Sequence, residues 1–323
     1  VNADVLWADA DRFPPSDDDV RRVREAGFGF VPVDGHEVAT FRRCGRDAEA
    51  VVAWGGRYDA AVFDELPRLR VLARCGAGYD NLDLAELAAR HVVATYVPGG
   101  SDDEVAEHTI GLLFAVARKV VASDRAVRTG AWPSSRDLAP MARVRGSRLG
   151  LIGLGRIARA VAWRARALGM QVAAVDPFQD AEVFETAGVQ RHSDLPSLLE
   201  WSDWVSLHVP GVPGGPPVLG AAELAALRPG AVLINTARGS LVDTGALVGA
   251  LRSGRLGAAA LDVADPEPLP PDHPLLQFDQ VVVTPHSAAF SVPALAGIRR
   301  QALDNALAVL TGHPPLTPIP AED

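Results

Sequence analysis

The chain has 323 residues, 48% of them apolar and 22% charged, and a formal net charge of −9. That is length for two ordinary domains with sizeable cores, in a composition that excludes a disordered chain. The acidic balance argues against nucleic acid and anionic lipid as partners, and no apolar run reaches membrane-spanning length.

Residues 5–7 read as a strand. Ser16 reads as an N-cap, with Asp19 three residues on, for a helix over 20–26 that Gly27 ends. Strand-like runs follow at 28–33, 50–54, 69–73 and 92–96, with a helix over 84–90 between the last two. Strands alternating with helices predict a parallel sheet covered on both faces. Pro98, Gly99 and Gly100 break this unit. A long helix is predicted over 102–121, with Ile110, Leu113, Phe114 and Ala117 on one face. A second helix broken by Gly130 leads into an irregular Pro/Arg-rich stretch over 132–146. A second alternating unit then places strands at 149–152, 171–175, 204–209, 231–235, 258–262 and 281–284. A helix over 293–310 and a Pro-rich tail close the chain, which has no solenoid repeat.

The two cysteines, Cys44 and Cys75, have no metal-like spacing, so we expect reduced thiols, no metal and a cytoplasmic protein. The amino-terminal stretch lacks a basic region leading into an apolar run, so no signal peptide is expected. Lys119 is the only lysine; the other basic side chains are arginines.

The run over 149–152 leads from Ile152 into Gly153-Leu154-Gly155-Arg156-Ile157-Ala158. Gly153 permits a tight turn, Gly155 lets backbone approach a pyrophosphate, and Ala158 allows close packing of helix on strand. The helix that follows offers its unpaired N–H groups and dipole to the phosphates. A second strand ends at Asp176, eighteen residues beyond Ala158, where a carboxylate accepts from ribose hydroxyls and repels a 2′-phosphate. NAD is therefore the expected cofactor, with Arg156 and Arg159 leaving NADP use open.

Three further strand ends carry polar groups: Asn235-Thr236-Ala237-Arg238-Gly239, then Leu261-Asp262-Val263 with Glu267 five residues after Asp262, then Thr284-Pro285-His286-Ser287-Ala288. Ligands of open α/β sheets bind at the carboxyl ends of strands. These segments, with Cys75-Gly76-Ala77-Gly78-Tyr79-Asp80-Asn81-Leu82-Asp83 and Val105-Ala106-Glu107-His108, resemble the D-isomer-specific 2-hydroxyacid dehydrogenase family over essentially the whole chain. Arg74 and the run 203–210 look most like the branch of the C-terminal-binding proteins and their bacterial relatives.

The resemblance implies two doubly wound parallel-sheet domains: a flavodoxin-like substrate domain (1–98 with 290–323) and a Rossmann NAD-binding domain (99–289). It implies a homodimer through the long helix. It puts the family's Arg–Glu–His triad on Arg238, Glu267 and His286. Arg238 would hold the carboxylate and ketone of a 2-oxo acid with its planar fork. His286 would give the carbonyl oxygen its proton as hydride arrives, and Glu267 would orient the ring and favour its protonated form. Arg74 and the backbone of Cys75, Gly76, Ala77 and Gly78 would join Arg238 and His286 at the substrate, Arg74 favouring a second anionic group. Ala77, Val209, Thr236 and Ala237 would line the cofactor cleft beside Arg238 and His286, with Asp262 facing the nicotinamide carboxamide. His108 and His208 read as packing or supporting groups, His208 at the cofactor edge.

Two departures stand out. The tryptophan that follows the histidine by three residues in C-terminal-binding proteins is Ala289 here, with Phe290 next. Residues 211–217 replace a more polar loop. The expected activity is NAD-linked interconversion of a small 2-oxo acid and its D-2-hydroxy acid; the alternative is an NAD-sensing, corepressor-like binding protein on the same fold.

Overall fold

The computed structural model describes residues 4–138 and 140–320. The chain divides into one unit of Val1–Ser101 with Ser291–Asp323 and a second of Asp102–Phe290. Both divisions fall slightly downstream of those drawn from the sequence.

The first unit runs β1 (Val5–Trp7), α1 (Asp17–Glu25), β2 (Phe30–Pro32), α2 (Val38–Cys44), β3 (Ala50–Ala53), α3 (Ala60–Phe63), β4 (Val71–Arg74), α4 (Leu84–Ala89) and β5 (Val93–Thr95). Ser16 starts α1 in a capping box, its hydroxyl accepting from Asp19 N while the Asp19 carboxylate accepts from Ser16 N. The strands pair in parallel in the order β2-β1-β3-β4-β5, the flavodoxin-like arrangement. Sheet residues such as Val5, Leu6, Val51 and Leu72 are fully buried because helices cover both faces. The carboxy-terminal helix Val292–Leu310 belongs to this unit and buries Ile298, Ala302, Leu303 and Ala306 in a core shared with Trp7 and Val71.

The second unit runs α5 (Asp102–Ala117), α6 (Val120–Arg128), β6 (Arg148–Ile152), α7 (Arg156–Ala167), β7 (Gln171–Val175), α8 (Ala181–Ala187), β8 (Gln190–Arg191), α9 (Leu195–Trp201), β9 (Trp204–Leu207), α10 (Ala221–Ala226), β10 (Ala231–Asn235), α11 (Thr244–Arg252), β11 (Leu256–Leu261) and β12 (Val281–Val283). All strands are parallel, in the order β12-β11-β10-β9-β6-β7-β8. This is the Rossmann order with one strand added at an edge, and its switch point lies between β6 and β9. Alternation along β6 sends Leu149 and Leu151 into the core under α5 and α7, and Ile152 into the core on the opposite face.

Three expectations need correction. The helix predicted over 102–121 ends at Ala117, and Val120 and Val121 open the second predicted helix, α6. Lys119 N donates to Val116 O, a tightened last turn, and Lys119 itself is left-handed at φ 50°, which ends the α-helical ladder before α6 begins. The buried face of α5 is Val105, Ala106, Thr109, Leu112, Leu113 and Ala117, whereas Ile110 and Phe114 sit at its margin. Strand β8 gave no sequence signal, because both of its residues are exposed.

Candidate active site

Gly153 follows β6 at φ 91°, and a Cβ there would lie 2.7 Å from His208 O and 2.8 Å from Val209 Cγ1. Only glycine satisfies both the turn and this approach of the chain beyond β9. Gly155, the N-cap of α7, has no side-chain cap, and a Cβ there would meet open space. The N-terminus of α7 is thus unobstructed at Gly155, where unpaired first-turn N–H groups are the donors an anionic phosphate needs. Beneath them Ala158, Val161 and Ala162 are fully buried. Asp176 stands just past β7, its oxygens accepting from Leu154 N at 2.8 Å and Phe178 N at 2.9 Å. The carboxylate is thereby fixed in direction, and each oxygen keeps a lone pair for a hydroxyl. These residues fit a dinucleotide. Arg156, read from the sequence as a cofactor contact that leaves NADP use open, donates through Nε to Asp102 at 2.7 Å, so its guanidinium is engaged on α5. His208 Nε2 lies 2.9 Å from Ser206 Oγ, and burial pushes its ring down to about 4, so it is neutral at physiological pH.

Beyond β10 the buried Asn235 locks the next residues. Its Nδ2 donates to Arg238 O at 2.8 Å, and its Oδ1 accepts from Ala237 N at 3.0 Å. Arg238 Nη1 donates to Ala237 O at 2.7 Å. Gly239 follows with its Cα against the backbone of Ala264 and Asp265, the segment that leads to Glu267. Thr236 is buried, 3.0 Å from Thr109 on α5 through the two hydroxyls.

Glu267 Oε1 and His286 Nδ1 are 2.6 Å apart. An ionised carboxylate only accepts, so the shared proton sits on Nδ1 and Nε2 is the ring nitrogen left for another partner. Burial raises the Glu267 carboxyl, but the hydrogen bond and charge of His286 outweigh it and hold the group below the usual carboxylate range. His286 itself is left-handed at φ 53°, a conformation unusual for a residue with a side chain.

What holds His286 there is Asp262, at 2% exposure. Its Oδ1 accepts from Thr284 Oγ1 at 2.6 Å and Ser287 N at 2.9 Å, its Oδ2 from Ala288 N at 2.9 Å, and its carbonyl from His286 N at 2.8 Å. Burial alone would raise the Asp262 carboxyl; bonds from His108, Thr284 and the two backbone N–H groups bring it below its ordinary value. Both oxygens of this carboxylate, expected from the sequence to face a nicotinamide carboxamide, accept from the loop that bears His286. His108 Nε2 reaches Thr284 Oγ1 at 2.9 Å and Asp262 Oδ1 at 3.4 Å. Sequence reasoning missed the Asn235 lock and the Gly239 contact, although both residues flank Arg238 in the quoted motif.

In the first unit, Cys75 N donates to Ala53 O and Gly76 N to Arg74 O, so these two amides are committed. Among the described residues, those of Ala77 and Gly78 have no backbone acceptor. Arg74 Nη1 donates to Cys75 O. The Cys75 thiol is pushed up to about 12 by burial and stays protonated. The described residues hold no cluster of side chains that could bind a metal ion.

Residues 110–288 match the family described as D-isomer specific 2-hydroxyacid dehydrogenase, NAD binding domain. A glyoxylate reductase of Thermofilum pendens is 39% identical over 84% of this chain and 80% of its own. A D-3-phosphoglycerate dehydrogenase of Archaeoglobus fulgidus is 40% identical over 72% of this chain but 44% of its own. Among solved structures, an NADPH-dependent glyoxylate/hydroxypyruvate reductase of Sinorhizobium meliloti, in complex with citrate, superposes with a TM-score of 0.84 at 31% identity, covering 98% of this chain and 97% of that one.

Proposed function

The chain belongs to the D-isomer specific 2-hydroxyacid dehydrogenase family, and on that premise we propose which residues perform its chemistry and which cofactor they prefer. As a member it is an oxidoreductase that interconverts 2-oxo and 2-hydroxy acids with a nicotinamide cofactor. The unit Asp102–Phe290 is its NAD-binding domain.

A nicotinamide cofactor, when bound, supplies or accepts the hydride. Arg238 holds the substrate carboxylate and polarises the neighbouring carbonyl with its planar fork. His286 delivers the proton at Nε2 to the carbonyl oxygen during reduction and takes it back during oxidation. Glu267 keeps the ring turned by accepting from Nδ1. The 2.6 Å contact of His286 Nδ1 with Glu267 carries this assignment, because it frees Nε2 for the reacting oxygen. The fixed carboxylate of Asp176 supports NAD over NADP, unlike the NADPH-dependent relative.

The names of the relatives, reductase and dehydrogenase, support catalysis over the corepressor alternative. We read the chain as a homodimer, which the exposure of Val120, Val127 and Trp132 on and after α6 supports. A stable monomer by light scattering at micromolar concentration would refute that. Among the described residues no helix is long and apolar enough to cross a membrane. The free thiols of Cys44 and Cys75 agree with a cytoplasmic location.

The test is steady-state turnover by the purified chain of glyoxylate, hydroxypyruvate, a branched 2-oxo acid and one with a distal carboxylate or phosphonate. Each is run with NADH and with NADPH. Formation of the D-2-hydroxy acid with NADH preferred is expected; no turnover of any 2-oxo acid overturns the reading.

A further inference from the structure

We infer that His108 is a positioning residue for His286, acting through Thr284 and Asp262 to keep the proton donor in its left-handed conformation. The inference rests on the reading of His286 as the proton-transfer group. It follows from counting hydrogens. Thr284 has one hydroxyl hydrogen, and at 2.6 Å the acidic Asp262 Oδ1 takes it. Thr284 Oγ1 can then only accept from His108, 2.9 Å away, so His108 Nε2 carries a proton. The same N–H leans toward Asp262 Oδ1 at 3.4 Å. Asp262 in turn anchors residues 284, 287 and 288, on both sides of His286.

A residue with a side chain does not hold φ 53° unaided; its surroundings must impose that conformation. Here the imposition is one buried carboxylate, and His108 is the group from α5 that braces it. The next residue makes a second link of the same kind. Thr109 Oγ1 donates to Val105 O at 2.7 Å, so at 3.0 Å it must accept from Thr236, two residues before Arg238. Adjacent side chains of one helix thus brace the strand ends bearing Arg238 and His286. A packing histidine would need no such donor, and this is what separates the two roles.

The experiment uses His108→Leu and His108→Gln, each alone and combined with Glu267→Gln, and reads kcat, the kinetic isotope effect with NADH deuterated at the transferred hydrogen, NADH affinity and Tm. His108→Leu should lower kcat on the order of tenfold, below the roughly hundredfold of a full 1 Å misplacement, and raise the isotope effect, with NADH affinity unchanged. His108→Gln keeps a donor at the Nε2 position and should recover activity to within about threefold. In the Glu267→Gln background, where His286 has already lost its partner, His108→Leu should add less than about twofold, since residues acting as one unit are non-additive. Should His108→Leu not fold, Thr284→Val removes the relay hydroxyl at similar volume and is read in the same way. A wild-type kcat in His108→Leu, or an equal loss in both backgrounds, overturns the inference. His286→Ala distinguishes the failures: normal turnover there sinks the reading of His286 and this inference with it, whereas an inactive His286→Ala beside additive His108 variants sinks this inference alone.

Discussion

Substituting Gly239 by alanine tests whether the catalytic groups are coupled through backbone contact. Gly239 opens the 3-10 turn Gly239–Leu241 with a φ outside the left-handed region, so alanine meets no conformational objection there. The objection is space: the new Cβ would stand 2.0 Å from Ala264 O, 2.1 Å from Ala264 C and 2.7 Å from Asp265 N. All three are main-chain atoms and cannot swing aside as a side chain would. The gap must widen by at least about 1 Å to reach even a tight van der Waals contact. That motion shifts the turn bearing Arg238, the segment leading to Glu267, or both. A misplacement of about 1 Å typically costs about 10²-fold in rate, or roughly 2.7 kcal/mol of barrier. Gly239→Ala should therefore lower kcat by about two orders of magnitude. NADH affinity, set around Gly153, Gly155 and Asp176, should stay near wild type. The assay pairs steady-state kinetics on the best 2-oxo acid with fluorescence titration of NADH and a thermal melt. A folded Gly239→Ala protein with kcat within about threefold of wild type, far from the hundredfold worked out above, would refute the argument that this contact positions the site.

His286→Ala should lower kcat about 10²–10⁴-fold, the usual worth of a positioned acid, with NADH binding intact by the same titration. Because Glu267 is held below the usual carboxylate range, its ionised form persists as pH falls; the stability it adds is present above the unfolded value of about 4.3 and lost only as pH drops through the lower folded one. The pH profile of reduction should accordingly keep its rate on the acid side down to at least about pH 5. Glu267→Gln removes the carboxylate that accepts from His286 Nδ1 and fixes the ring, so it should lower kcat with NADH affinity unchanged; a wild-type kcat would count against the dyad. Asp176→Ser should narrow the preference for NADH over NADPH in kcat/KM, since a hydroxyl no longer repels a 2′-phosphate. Gly249, inside α11 with open space where a Cβ would go, should accept alanine and gain about 0.5–1 kcal/mol in denaturant unfolding.

Much of the fold was legible because most of the parallel strands are short apolar runs buried on both faces, as at 231–235. The nucleotide turn was legible because its glycines answer to local geometry. The break at Lys119 was not, since Val120 and Val121 continue the apolar pattern and only the backbone angle stops the helix. The short α2 and α3 gave too few turns for a period to show. At the site, strand-end motifs named Arg238, Glu267 and His286 one by one. The environment of Asp262 depends on which loop folds back over it, and that pairing of residue 262 with 284–288 lies in tertiary structure. The same holds for His108, whose partners lie 154 and 176 residues away.

Lys119, the residue that parts α5 from α6, is the chain's one lysine. A 2-oxo acid is an electrophile, and primary amines condense with its carbonyl to form imines. A guanidinium, protonated throughout the physiological range, holds the same carbonyl without attacking it. The only ε-amino group of this protein stands at the start of α6, while the cation proposed for the substrate, just after β10, is an arginine. Borohydride reduction in the presence of glyoxylate should therefore modify Lys119 and the chain's α-amino group, and leave the strand ends that carry Arg238 and His286 chemically untouched.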